Sequence, residues 1–450
     1  MSLPIPTPPT NILFGHLLKL RQAPIDYLSS VISSMGDVVK FRLGFFEKIF
    51  LSHPDYAKQI LVEHHLRFDK GSREWAKMKL FFGKGILTTN GSTWAHQRRT
   101  LQPEFRLNQI PKFGEPILEE SRALADRWEK HAQENKPIHL HEEMLYLTLR
   151  IITRAMFSEN IDEDKINRVH QNLSIILQYG WESSTRLFDL PVWFPTLSNR
   201  RVVQARKNLN DLVLGMIVQR KKNGAVCEDL LSRLLMAKDP ETGEKMEDEE
   251  IRDHLMAVLL AGHETTAISL AFTCMLLCQY QEQQEKIYQE IINQLHGQPL
   301  QIQHWKSFSV IYQTIQESMR LYPPIWAIFR RNVDSISFGG HTIPAKKSLF
   351  IFVYYLHRHP EFWEHPSSFI PERFNEENTR KRHPYAYLPF GAGPHVCIGR
   401  ELAMFEMPLV LAALFQRFQM RLAPDFKLEL QLSLTMRSKN PLFVFLERRK

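Results

Sequence analysis

The chain has 450 residues, of which 44% are hydrophobic and 24% charged, so it can bury a large core and is neither disordered nor fibrous. Its 57 Lys and Arg against 49 Asp and Glu leave a formal net charge of +8, which favours acidic partners without defining a nucleic-acid binder. Four unevenly spaced cysteines, Cys227, Cys274, Cys278 and Cys397, are too few for a disulfide framework and predict a reducing compartment.

The first twenty residues carry four prolines and no uninterrupted apolar stretch, so we predict neither a signal peptide nor a membrane anchor. One internal segment, Met256 to Cys278, is mostly apolar and about as long as a membrane span. Its middle reads Gly-His-Glu-Thr-Thr, however, and these polar groups would be costly in hydrocarbon. We therefore predict a long core helix in a soluble, cytoplasmic protein.

Strand-like segments lie near both ends of the chain: Val38 to Leu43, Lys48 to Leu51, a glycine hairpin over Ile336 to Ile343, the apolar run Ser348 to Leu356, and Phe443 to Leu446. A helix is expected from about Pro54 to His64, and from Leu118 to beyond Arg320 the pattern is helical. No low-complexity linker separates domains.

The sequence thus predicts one mainly α domain with small β-sheets over residues 1–450. Its β-rich region is expected to combine residues 36–53, 336–356 and the C-terminal strands, and its helical body residues 94–330 and 385–420.

Phe390 to Gly399 reads FGAGPHVCIG, with three glycines around one cysteine. A plain glycine loop with a buried cysteine is the simplest interpretation. The alternative is an iron ligand, because a thiolate on haem iron needs backbone N–H groups turned toward its sulfur, and glycines permit that turn. A helix-forming segment follows at once, and its positive N-terminal end would also favour the thiolate.

This loop resembles the haem-binding loop of the cytochrome P450 family, and it matches the pattern F-G-x-G-x-x-x-C-x-G at every fixed position. The resemblance implies a P450 fold around a buried haem b with Cys397 as axial ligand of the iron. It also implies that Phe390 lies against the sulfur, that Gly391 shapes the loop, and that His395 points at a haem propionate.

Three further motifs resemble those of the family. Glu317 and Arg320, at i and i+3, would otherwise be a solvated surface pair. The family pairs such residues with the Arg of a P-E-R-F segment, which is Arg373 here, so the resemblance implies a buried structural network.

Ala261 to Thr266 is similar to the family's oxygen-binding signature. Splitting dioxygen requires two protons, and the resemblance implies that Thr265 and Glu264 are the catalytic residues that deliver them. The alternative for Thr265 is a hydrogen bond back to its own helical turn.

Trp94 and Arg98 lie on one helical face and resemble the family's W-x-x-x-R motif, with a simple Trp–Arg stack as the alternative. The resemblance implies that both contact haem propionates, and that Arg330 adds another cation. Carried over in the same way is a substrate pocket, although each member could equally be ordinary core: Phe81, Phe82, Ala257, Val258, Ala261, Ile325, Trp326, Ile328, Thr435 and Met436.

The resemblance implies a monooxygenase that inserts one oxygen atom of O2 into a lipophilic small molecule such as a fatty acid or terpenoid. The chain has no flavin or iron–sulfur segment, so a ferredoxin or flavodoxin with its reductase is expected to supply electrons. The basic residues at 380–383 and Arg400 could steer such an acidic partner. A haem-thiolate peroxygenase or isomerase, and a non-enzymatic haem sensor, are the alternatives. No nucleic-acid motif is evident.

Overall fold

The computed structural model describes residues 3–11, 13–159, 162–186, 190–224, 229–237, 243 and 245–449. Within them lie sixteen α-helices: α1 (Leu17–Gln22), α2 (Pro24–Met35), α3 (Pro54–Lys58), α4 (Arg73–Phe82), α5 (Gly91–Leu101), α6 (Gly114–Gln133), α7 (Leu140–Phe157), α8 (Glu163–Thr185), α9 (Leu197–Asn223), α10 (Leu230–Met236), α11 (Asp248–Gln279), α12 (Gln281–Leu295), α13 (Ser309–Leu321), α14 (Val353–Leu356), α15 (Glu376–Lys381) and α16 (Arg400–Phe415).

Twelve strands of the described chain form four small sheets: β1 (Val38–Leu43), β2 (Phe46–Leu51), β3 (Phe68–Asp69), β4 (Ile138–His139), β5 (Ile328–Asn332), β6 (Ile336–Phe338), β7 (His341–Ile343), β8 (Ser348–Ile351), β9 (Phe418–Leu422), β10 (Leu430–Leu432), β11 (Met436–Ser438) and β12 (Phe443–Arg448). The largest sheet has the order β1-β2-β8-β5-β3. This sheet joins residues 38–51 to residues 348–351 of the predicted β-rich region, whereas the hairpin β6–β7 and the C-terminal strands lie in separate sheets.

β2 and β8 are the parallel pair of this sheet, with Lys48 opposite Ser348 and Leu51 opposite Ile351. Hydrophobic side chains from both strands are buried, including Ile49, Leu349 and Ile351, because one face of the sheet packs on α3 and the loops around it. A further small sheet, β4-β12-β9, joins the C-terminal strand to the start of α7.

The helical core is built around α11, which packs against α7, α9 and α13. By length and composition α11 is apolar enough to span a membrane, but 83% of its most apolar window is buried inside the protein. Cys274 and Cys278 lie in this core, as predicted. Cys227 lies outside the described residues.

Three element boundaries differ from the predicted ones. The helical region expected over 385–420 contains a short 3-10 turn, a loop and then α16, and β9 begins at Phe418. β5 starts at Ile328, inside the predicted helical body. The helix expected over Pro54–His64 ends as an α-helix at Lys58 and continues as a π-helical turn, Gln59–Glu63.

Candidate active site

The loop before α16 presents the Cys397 sulfur at the N-terminus of that helix. Cys397 N donates to the Phe390 carbonyl at 2.9 Å, and Val396 N donates to Gly393 O at 3.0 Å, so the loop is closed by its own backbone. The Cys397 side chain is exposed, although enough protein surrounds its sulfur to affect its ionisation. The Phe390 ring packs against the main core.

Burial raises the pKa of the Cys397 thiol, while hydrogen bonds from the backbone N–H groups of Gly399 and Arg400 and the charge of Arg98 oppose that rise. Backbone N–H groups at a helix N-terminus stabilise an anion. The sulfur therefore sits where a thiolate bound to a metal cation would be stabilised.

Two glycines of the loop are required by its geometry. Gly391 and Gly393 have φ of +71° and +68°, a region that L side chains rarely adopt. A Cβ on Gly393 would lie only 1.8 Å from the Leu61 carbonyl oxygen, in the π-helical turn after α3. This contact fixes the loop against the β-rich region.

Helix α5 holds the other side of the loop. The Trp94 and His395 rings lie 3.7 Å apart between centroids, and Arg98 Nη1 donates to the Val396 carbonyl at 3.0 Å. The structure thus brings together the three residues that were predicted to contact the haem propionates: Trp94, Arg98 and His395. Burial and the nearby charges of Lys70 and Arg330 lower the pKa of His395 to about 3.

Lys70 and Arg330 complete a set of cations beside the loop, and Lys70 was missed by sequence reasoning. Arg330 is 8% exposed, and its Nη1 donates to the carbonyl of its neighbour Phe329. Lys70 Nζ donates to the Leu87 carbonyl at 2.8 Å. Burial and the Arg330 charge lower the pKa of Lys70 to about 7.

Among the described residues, no carboxylate forms an ion pair with Arg98, Arg330, Lys70 or His395. Buried cations without anions are costly. A bound group with two carboxylates, such as the propionates of haem, would satisfy them, and the exposed sulfur beside them is a suitable iron ligand. The residues present therefore fit a haem.

The middle of α11 contains a face that is not packed against protein. Ala261 is exposed and Thr265 half-buried there, whereas His263, Glu264 and Thr266 are buried. Thr265 Oγ1 donates to the Ala261 carbonyl at 2.5 Å, so in this structure the hydroxyl makes the back-bond that was the alternative to the relay role. Its oxygen still has lone pairs to accept a further hydrogen bond.

Glu264 lies on α11 against the hairpin β10–β11. Its Oε1 accepts a hydrogen bond from Thr435 Oγ1 at 3.2 Å, and its Oε2 has no partner among the described residues. Burial raises the pKa of Glu264 to about 7, against the opposing effects of the Arg437 charge and the Thr435 bond. A carboxyl with such a pKa can both give and accept a proton near neutrality.

Glu317 and Arg320 form a bidentate pair with both side chains fully buried, at 2.6 and 2.7 Å. Arg320 also donates to the carbonyls of His357, Pro366 and Ser368. Arg373 lies 3.4 Å from Glu317, although it is paired less closely than Arg320. The three predicted residues thus join α13 to the segment that precedes the cysteine loop.

The ten predicted pocket residues do not share one environment. Phe81, Phe82, Ala257, Val258, Trp326, Thr435 and Met436 are buried. Ile325 is 37% exposed, and Ile328 lies in β5 beneath Gly391. Trp326 donates from Nε1 to the Ser433 carbonyl and lines a groove of about 560 Å³.

The basic run before the cysteine loop is largely paired. Arg380 and Lys381 pair with Glu376 and Glu377 on the same helix turn. Arg382 is half-buried over the rings of Phe374 and Tyr387, His383 contacts Asp55, and Arg400 pairs with Glu401. These contacts weaken the positive patch that the sequence suggested.

Three features together are those of haem-thiolate proteins. They are a cysteine at a helix N-terminus, neighbouring cations with no carboxylate partner among the described residues, and a helix with an adjacent acid and alcohol. The family model described as "Cytochrome P450" matches residues 5–445. The chain belongs to the cytochrome P450 family and is a P450 monooxygenase, an oxidoreductase.

Relatives and solved structures agree with this assignment. The chain is 33% identical over 412 residues to cyclooctat-9-en-7-ol 5-monooxygenase of Streptomyces melanosporofaciens, covering 92% of this chain and 88% of that one. It is 27% identical to the ultra-long-chain fatty acid omega-hydroxylase of Homo sapiens, with 98% and 88% covered. The crystal structure of the cytochrome P450DA heme domain superposes with a TM-score of 0.91 at 27% identity, with 100% and 99% covered. The predicted fold is confirmed.

Proposed function

We propose that this P450 uses haem b, with Cys397 as the axial iron ligand, to insert one oxygen atom of O2 into a lipophilic small molecule. The observation that carries the proposal is the exposed Cys397 sulfur beside three basic residues, Lys70, Arg98 and Arg330, that have no carboxylate partner among the described residues. When bound, the haem supplies the redox chemistry of dioxygen activation. The protein supplies binding, orientation and protons.

Each role follows from the contacts of the residue. Arg98, Arg330 and His395, together with Lys70, would hold the two propionates, and Trp94 would keep His395 in place by stacking. Phe390 and Gly391 would fix the turn that aims N–H groups at the sulfur. Thr265 would hold a proton at Oγ1, and Glu264 would replace it, because its carboxyl is buried next to that residue. This acid–alcohol pair favours a monooxygenase over a peroxygenase or isomerase.

The spectrum of the reduced, carbon-monoxide-treated protein tests the ligand assignment. We expect the absorption shift that is specific to thiolate-ligated haem, and its loss in Cys397→Ala. A protein that stays colourless with excess haem, or a Cys397→Ala variant with the unchanged spectrum, would overturn the proposal.

The substrate is proposed to be a fatty acid, a terpenoid or a similar lipophile. One relative's name specifies a cyclooctatenol and another an ultra-long-chain fatty acid, and the predicted pocket residues are mostly apolar. Screening long-chain acids and polycyclic alcohols for a low-to-high spin shift would separate the two classes.

The electron donor is proposed to be a ferredoxin or flavodoxin with its reductase, in the cytoplasm. Because four of the five basic residues near the cysteine loop have acidic partners, we expect only a modest salt dependence of reduction by an acidic ferredoxin. A reduction rate that does not change with ionic strength would argue against electrostatic steering.

A further inference from the structure

A polar cluster lies beside Glu264 at the junction of three helices and a hairpin. His141 comes from α7, His170 from α8, His263 from α11, and Arg437 from β11. The His170 and His263 rings lie 5.8 Å apart between centroids, edge to face. The Arg437 charge acts on His141, His170 and Glu264, so its guanidinium lies near all three.

Within the described residues, five buried polar atoms of this cluster have no well-formed hydrogen bond: His141 Nε2, His170 Nδ1, both ring nitrogens of His263, and Glu264 Oε2. The Leu145 backbone lies close enough to the His263 ring to act on its pKa. A buried polar atom left unpaired costs about 1–3 kcal/mol, and water is the usual partner where protein offers none. Within the described residues, no group of His, Cys, Asp and Glu is arranged to hold a metal ion. The atoms therefore form a polar tract that bound water would satisfy.

The residues of the tract differ in exposure. His141 and His170 are half-buried, while His263 is 2% exposed and Glu264 6%. Thr435 occupies Glu264 Oε1, which leaves Oε2 for the tract. The half-buried histidines thus lie nearer to solvent, and His263 directly precedes Glu264 on α11.

The three histidines are neutral near pH 7. Burial is the main cause that lowers the pKa of His141 and of His263 to about 3 each, and it also lowers that of His170. Besides Arg437, the charged or titratable groups that act on the cluster are Glu142 near His170 and His139 near His141. A neutral imidazole has one donor and one acceptor nitrogen, so it can orient a chain of water without retaining a proton.

We propose that His141, His170 and His263, with Arg437, form a hydrated proton inlet that connects Glu264 to solvent. The inference rests on the proposed monooxygenase function, which consumes two protons per turnover. Each proton passes from solvent along the water chain to Glu264 Oε2, and Glu264 releases a proton toward Thr265. The histidines are positioning residues, because they gain and lose no proton overall.

Infrared spectroscopy of the resting, haem-loaded protein tests the inlet without turnover. The Glu264 carboxylic acid band is assigned as the one missing in Glu264→Gln, at pH 6, where most of this carboxyl is protonated. After rapid mixing with D2O, its isotope shift measures how quickly solvent protons reach Glu264. We expect exchange at least tenfold slower in the double variant His170→Phe/His263→Leu than in the wild type.

Two further variants separate the inlet from a general structural effect. His263→Gln keeps donor and acceptor groups, so with His170 intact it should exchange at close to the wild-type rate. His131→Phe replaces a half-buried histidine on α6 whose Nδ1 is also unpaired, and it should leave exchange unchanged. The proposed inlet would be overturned if the double variant had normal haem content and its Glu264 exchanged at the wild-type rate. Failure of the proposed function shows separately, as a missing thiolate-haem spectrum.

Discussion

Glu406 is a carboxyl buried in α16 without a charged partner. Its side chain is 3% exposed, and Oε1 has no hydrogen-bond partner among the described residues. Burial raises the pKa of this carboxyl to about 8, because the charged form would lie in an apolar core. The Glu406 carboxyl is therefore mostly uncharged at pH 7, and its ionisation would destabilise the folded state.

Glu406→Gln should remove a pH dependence of stability. The folded wild type holds the Glu406 proton up to about pH 8, whereas the unfolded chain releases it near its ordinary value. The stabilising effect is complete at low pH and is lost as pH rises, at up to about 1.4 kcal/mol per pH unit. Urea unfolding at several pH values should therefore show that the free energy of unfolding of the wild type falls relative to that of the variant as pH rises from 5 to 8.

Glu282→Gln, at an exposed position on α12, is the matched control and should follow the wild type at every pH. A difference between Glu406→Gln and wild type that is independent of pH would contradict the assigned proton.

Gly393→Ala should abolish haem binding. The added Cβ would meet the Leu61 carbonyl oxygen at 1.8 Å, and the backbone has a positive φ, so the cysteine loop must move. Gly297→Ala is the control, because Gly297 has φ +77° but open space around it; it should cost about 1 kcal/mol and keep its haem. Haem content from absorbance measures both, and equal haem content would contradict the prediction.

At the scale of elements, the buried Glu317–Arg320 pair ties α13 to the chain segment that leads into the cysteine loop. Every nitrogen of the Arg320 guanidinium donates a hydrogen bond, to Glu317 or to backbone carbonyls. Ile370 N also donates to Glu317 Oε1. The pair therefore fixes the position of a chain segment that has little regular structure.

Glu317→Gln should destabilise the protein by about 3–5 kcal/mol, because it leaves the Arg320 charge buried without its counter-ion. Asp211→Asn breaks an exposed i, i+4 pair with Lys207 on α9 and should cost about 0.5 kcal/mol or less. Urea unfolding followed by circular dichroism compares the two. Similar losses of unfolding free energy in the two variants would show that the buried pair contributes no more to stability than the exposed pair.

The sequence allowed prediction of those parts of the site that depend on short spacing. Glu317 with Arg320, and the glycines around Cys397, are local patterns, and the resemblance to the family favoured a buried pair over a surface pair and an iron ligand over a plain loop. Lys70 has no such pattern, and it meets Arg330 through the pairing of β3 with β5. The Thr435–Glu264 hydrogen bond spans 171 residues, and no periodicity indicates it. The basic run forms a weaker patch than the sequence suggested, because Arg380 and Lys381 pair with glutamates at i−4 and His383 pairs with the distant Asp55.

At the scale of the whole molecule, the buried positive charges beside the cysteine loop destabilise the protein when its cofactor is absent. Burial and the Arg330 charge lower the pKa of Lys70, and burial together with the charges of Lys70, Arg330 and Arg98 keeps His395 neutral. Two propionates would convert this repulsion into attraction. Cofactor binding and folding stability are therefore coupled.

Arg330→Gln should stabilise the haem-free protein but weaken the retention of haem in the haem-loaded protein. The haem-free variant should melt at a higher temperature than haem-free wild type, because one buried charge is gone. The haem-loaded variant should lose haem to a competing apoprotein at least several-fold faster. Thermal melts of both forms and haem-transfer rates measure this, and a lower melting temperature in both forms would contradict it.

The pairing of β2 with β8 joins residues 300 positions apart, and β4 meets β12 across a similar separation. During synthesis the first fifty residues must wait until about three-quarters of the polypeptide has left the ribosome before their sheet can close. Long-range pairing of this kind is slow and leaves strand edges uncovered meanwhile. Production in a host should therefore depend on chaperone supply and growth temperature more than on translation of any single segment.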